Sequence, residues 1–110
     1  GKNMKFLAQG TVTVSSTSSY SVKYQTFDGS SITVSRLGKG QYRIYMSSSW
    51  NMSGYFQVFL SGIFSAVDST PIYATLKALY SYYFDLYTAD DSSTNDGSFS
   101  FLVVSTGDWK

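Results

Sequence analysis

Histidine, cysteine and glutamate are absent from the 110-residue chain, and proline occurs once, at Pro71. Without cysteine there is no disulfide and no thiolate metal site, so the redox compartment stays open. Without histidine no side chain has an unperturbed pKa suited to general-base work near neutrality. All seven acidic residues are aspartates. Charge is scarce as well: eight Lys and Arg against those seven give a net charge of +1, and only Arg36 and Arg43 carry guanidinium groups. That pattern provides no basic footprint for nucleic acid. No apolar run reaches the ~20 residues of a membrane-spanning helix, so membrane insertion is not expected. No leader pattern is evident, and residues 1–5 read as a tag remnant or as a linker from an upstream region.

Aromatic and hydroxyl side chains fill the space left. Ten tyrosines and eight phenylalanines are set among abundant serine and threonine, a composition suited to a pleated, half-buried surface. The length fits a single domain over 1–110. Period-two alternation recurs along it. Val12 and Val14 share one face of a strand; Tyr20, Val22 and Tyr24 share one face of the next; and Ile32 and Val34 repeat the pattern. Gly38 and Gly40 then turn the chain into a strand with Tyr42, Ile44 and Met46 on one side, so 31–37 and 41–46 read as a β-hairpin. Residues 47–54 are a loop by composition. Residues 55–60 form a strand apolar on both faces, and 61–70 read as a looser connection. Segment 72–80 also fits a helical stripe through Ile72, Leu76, Leu79 and Tyr80. A strand is preferred there because its neighbours alternate and no cap follows.

The last part of the chain alternates again. Tyr82, Phe84 and Leu86 oppose Tyr83, Asp85 and Tyr87; a polar tip follows over 89–97; and a closing strand sets Phe99, Phe101 and Val103 against Leu102 and Val104. Together these segments predict a hairpin. Apolar residues on both faces of the closing strand predict cover on both sides. The expected architecture is an all-β, antiparallel, jelly-roll-like sandwich of about eight strands, with 72–80 as the place where a short helix would compete.

Chemical candidates are few. The Asp90 to Gly97 stretch lacks the alternating oxygens and terminal glutamate of an EF-hand loop, and Asp, Asn and Gly are ordinary turn residues. Asp28-Gly29 is read as a hairpin turn rather than as a catalytic acid. Asp85, inside a strand, should face solvent or pair with a cross-strand Lys or Arg. A glycosidase needs two carboxylates flanking one bond, and no spacing here recommends such a pair. Serine lacks a partner base. The reading is therefore of a non-enzyme with no metal and no cofactor. Flat aromatic rings in loops or on the second face of strands are the remaining candidates for ligand contact: Trp50, Tyr55, Tyr73, Tyr83 and Tyr87.

Four segments in order, "GTVTV", "ITVSRLGKGQYRIYM", "YFQVFLSG" and "YYFDLYTADDSSTNDGSFSFLVV", resemble the C-terminal β-sandwich of phage tail fibres and collagen-like phage structural proteins. Gly38, Gly40, Tyr42, Ile44 and Met46 match that family's Gly-x-Gly-x-Tyr hairpin. Phe84, Leu86, Tyr87 and Asp90, then Asp96, Phe99, Phe101 and Val103, match its closing pair of strands. The likeness spans roughly residues 6 to 106, and the tyrosine-rich stretch 72–83 departs from it. It implies a virion tail or cell-surface location, a homotrimer, and adhesion to a host glycan or protein. It assigns no catalytic residue. The alternative from composition alone is a monomeric carbohydrate-binding module of a secreted bacterial protein.

Overall fold

Alternating side chains can bury one face of a strand only against another layer, and the chain resolves this with two stacked sheets. The computed structural model describes residues 4–52, 56–66 and 70–106. Its strands are β1 (Lys5–Ser16), β2 (Ser19–Thr26), β3 (Thr33–Gly38), β4 (Gln41–Tyr45), β5 (Phe56–Ser65), β6 (Tyr73–Leu79), β7 (Tyr83–Ala89) and β8 (Gly97–Ser105). A 3-10 turn lies at Ser48–Trp50. Sheet A has the order β2-β1-β8-β5 and sheet B the order β3-β4-β7-β6, every neighbour antiparallel. The protein is an all-β sandwich of eight strands. The first strand lies beside the last, as in a jelly roll, and β4 lies beside β7.

Each sheet contributes one face to the core. Val12, Phe99, Phe101 and Val103 from sheet A meet Tyr42, Ile44, Phe84 and Leu86 from sheet B, all buried. Their rings interlock, with Phe84 and Phe101 at 6.0 Å between centroids and Tyr42 and Phe99 at 5.5 Å. Each such side chain withdrawn from water contributes roughly 1.5–3 kcal/mol before entropy is counted. Gly10 makes room for the Phe101 ring: a Cβ on Gly10 would lie 2.6 Å from that ring and 2.8 Å from the Lys23 carbonyl.

The expected β3–β4 hairpin is present, turning at Gly40 with φ 65°. Segment 72–80 is a strand at the edge of sheet B. Three local expectations change. Asp28-Gly29 does not close a hairpin, because β2 and β3 belong to different sheets. Likewise β7 and β8 do not form a hairpin; residues 90–96 cross from one sheet to the other. Turn chemistry specifies that the chain reverses, but not which neighbour the next strand finds. Finally, β5 continues to Ser65, beyond the expected end at residue 60.

Candidate functional site

The outward face of sheet B carries the most unusual surface. Inward residues of β4 and β7 alternate with Gln41, Arg43 and Tyr45 on one strand and with Tyr83, Asp85 and Tyr87 on the other. At its centre Arg43 donates twice to Asp85, from Nε to Oδ1 at 2.7 Å and from Nη2 to Oδ2 at 2.9 Å. Asp85 is the strand carboxylate whose cross-strand partner was expected. Its carboxylate holds the Arg43 guanidinium protonated beyond the usual arginine range. The guanidinium also lies 4.3 Å from the Tyr83 ring centre.

Tyrosines surround this pair. Tyr83 is touched by Tyr80 in a stacked arrangement at 4.5 Å, by Tyr82 edge-on at 4.9 Å and by Tyr45 at 5.8 Å. Further along, the Lys77 ammonium sits 5.2 Å from the Tyr87 ring centre. Tyr73 pairs in register with Ala89 and is 61% exposed. Tyr83 and Tyr87 are four residues apart on one strand, hence ~14 Å along the sheet at ~3.4 Å per residue. The result is a line of aromatic rings with a neutralised ion pair between them.

Of the five ring residues singled out from sequence, Tyr73, Tyr83 and Tyr87 come together on this face. Tyr55 lies outside the described residues. Trp50 is elsewhere, at the end of the sandwich, against Phe27 at 5.5 Å, with its Nε1–H donating to Asp28 Oδ2 at 2.8 Å. It lines a cleft of about 310 Å³ with Leu7, Phe27 and Phe56. Asp28 also accepts from Ser30, and these Ser30 and Trp50 hydrogen bonds lower its pKa to about 2. Sequence reasoning missed Arg43, Tyr45 and Lys77. The period of two would have placed Arg43 and Tyr45 beside Tyr83, given the β4–β7 pairing.

Asp96, read as a turn residue, is a buried anchor. It is 3% exposed and accepts from Arg36 Nε and Nη2 (3.1 and 3.0 Å), Gly40 N (2.8 Å) and Tyr42 Oη (2.7 Å). Burial alone would raise its pKa. The Arg36, Gly40 and Tyr42 hydrogen bonds overcome that and hold it below the ordinary value. The same burial, with Asp96 beside it, pushes the Tyr42 hydroxyl upward. This network clamps the β3–β4 hairpin to the 90–96 crossover. Asp90 serves the same crossover by accepting from Ser92 and Ser93, with its pKa lowered to about 2 by those backbone hydrogen bonds.

The outward face of sheet A differs in kind. Cross-strand register lines up Gln25, Gln9, Leu102 and Phe59 in one row, and Phe6, Val104 and Gln57 in the next. Lys23, Thr11, Ser100 and Ser61 follow, with Thr11 and Ser100 hydrogen-bonded at 3.1 Å. Lys23 is the sole charge in these rows. Among the described residues no further layer covers this face; Leu102 is half-buried and Phe59 is 49% exposed there, whereas Val104 is buried.

Among the described residues no cluster of three or more metal-ligating side chains occurs, and no helix is long and apolar enough to cross a membrane. No family model, curated protein or solved structure matches the chain.

Proposed function

We propose that this chain is a non-enzymatic assembly and adhesion module of the tail-fibre kind. Its sheet A face packs against further copies of itself, and its sheet B face is left to meet a surface partner. The observation that carries the reading is the contrast between the two faces. Interfaces between protein chains are depleted of charge at their centres, and the sheet A rows hold one charge among the residues aligned by register. Four strands ~4.8 Å apart and eight to twelve residues long, at ~3.4 Å per residue, give a flat projection of roughly 20 by 33 Å. With side-chain corrugation that approaches the ~800 Å² per partner of a standard interface. The occupant is a second copy, and the resemblance to tail fibres favours a trimer. Such a module belongs on a virion tail or at a cell surface. The non-enzymatic reading is supported by the aspartates themselves: Asp28, Asp85, Asp90 and Asp96 are all committed to turns or to arginine pairs. Sedimentation equilibrium over a hundredfold concentration range tests it. A mass three times that of the chain is the expected result, and a monomer at the highest concentration would remove the assembly.

A further inference from the structure

We infer that the sheet B face is a binding site for a neutral glycan, with Tyr87 and Tyr73 as stacking platforms and the Arg43–Asp85 pair as its hydrogen-bonding centre. This rests on the reading of sheet B as the contact face and names what that face contacts.

Ring chemistry supports it first. The face of a tyrosine ring is the negative pole of its quadrupole, and the C–H groups on one side of a pyranose ring present a weakly positive surface to match. Tyr73, Tyr80 and Tyr82 are exposed at 61%, 45% and 44%, a cost to solubility that a sandwich with an adequate core does not need. Among the described residues Tyr73 stands free of ring contacts, but Tyr83 and Tyr87 are held in place. Tyr83 is fixed by three neighbouring tyrosines and Arg43, and Tyr87 by Lys77. Rings already locked in position lose little entropy when a ligand arrives.

The polar centre argues for sugar over protein. Asp85 is already buried, but the Arg43 guanidinium still reaches water, and a protein partner laid across this face would cover it without supplying many groups to replace that water, at a desolvation cost. Hydroxyl groups can do what water does there. They accept from the guanidinium N–H groups not used by Asp85, on the partly exposed side of Arg43. Charge complementarity then selects a neutral ligand. Arg43 is cancelled by Asp85, and Lys77 alone remains, engaged with Tyr87. A strongly anionic glycan finds no cluster of cations on this face. Tyr73 lies level with Ala89, four residues along the sheet from the Arg43–Asp85 pair, and that span of ~14 Å is longer than one sugar ring, so the ligand is an oligosaccharide and not a monosaccharide.

The test is an array of neutral hexose oligosaccharides of varied linkage, with sialylated and sulfated glycans and unglycosylated peptides beside them, followed by solution titration of the best neutral binder. Wild type should be retained on a neutral oligosaccharide. Tyr87→Ala and Tyr73→Ala should each weaken the titrated affinity at least tenfold, whereas Tyr87→Phe, which keeps the ring, should stay within about threefold of wild type. Both positions are at the surface, and near-ultraviolet circular dichroism checks that the variants stay folded. Retention of no neutral glycan overturns the inference, as does retention of peptides or acidic glycans alone, or affinity indifferent to both tyrosines. Phe59→Lys with Leu102→Lys should leave the solution affinity unchanged. A chain that binds the glycan yet sediments as a monomer would therefore remove the assembly and keep this site.

Discussion

Asp96 is the residue on which most separate segments converge. One carboxylate satisfies a guanidinium from β3, a backbone N–H at the β3–β4 turn and a buried hydroxyl from β4. Removing it strands the Tyr42 hydroxyl and the Gly40 N–H inside the protein, and each orphaned group costs about 1–3 kcal/mol. Asp96→Ala should therefore lose about 2–4 kcal/mol in urea denaturation. A loss below about 0.5 kcal/mol would mean that water replaces the carboxylate there. Acid supplies a second measurement. The folded carboxyl titrates below its ordinary value, so its stabilising contribution is complete above about pH 4 and is lost as pH falls through the folded value. Asp28 and Asp90, both at about 2, add to the same acid-side loss. The urea midpoint of wild type should fall between pH 5 and pH 2, in steps of about one pH unit across the carboxylate range, and Asp96→Asn should fall less over that interval.

At the scale of strands, the closed edge between β5 and β6 depends on a missing side chain. Ser65 N–H donates to the Thr70 carbonyl at 2.7 Å, Phe64 bridges Pro71, and Gly62 lies directly under the Ile72 carbonyl. A Cβ on Gly62 would collide with that backbone, which cannot rotate away as a side chain tip can. Gly62→Ala should destabilise by about 1–3 kcal/mol, with hydrogen exchange faster in β5 and β6 than in β1. Uniform exchange across both edges would show that the corner is not what holds them. The strands themselves were legible because period-two patterning is local: Val12 with Val14, Tyr42 with Ile44, and Phe99 with Phe101 and Val103 all face the core as their spacing requires. The β3–β4 hairpin was legible through its glycines. The sandwich connectivity was not, because Asp28-Gly29 and the 90–96 tip specify reversal and leave the partner strand to tertiary packing. Asp96 was hidden for the same reason. Its Arg36 partner is 60 residues away, and nothing local distinguishes it from a turn aspartate.

The whole molecule presents two outward sheets of opposite character. Tyr73, Tyr83 and Tyr87 could be marked from sequence as rings on second faces of strands, yet their convergence needed β4, β7 and β6 to be neighbours in that order. Trp50 went the other way, spending its indole N–H on Asp28 at the end of the sandwich. The apolar second face of β8, evident in Leu102 and Val104, continues across the sheet into Phe6 and Phe59. A lysine at the centre of a packed face would have to be desolvated without a partner, whereas at a face in water it costs almost nothing. That asymmetry makes the sedimentation of Phe59→Lys with Leu102→Lys, run beside Tyr73→Ala with Tyr87→Ala, the most direct measurement of the division between the faces. The sheet A variant should fall to the mass of one chain while the sheet B variant keeps the mass of the wild-type assembly. Equal masses for the two, whether both assembled or both single, would contradict it.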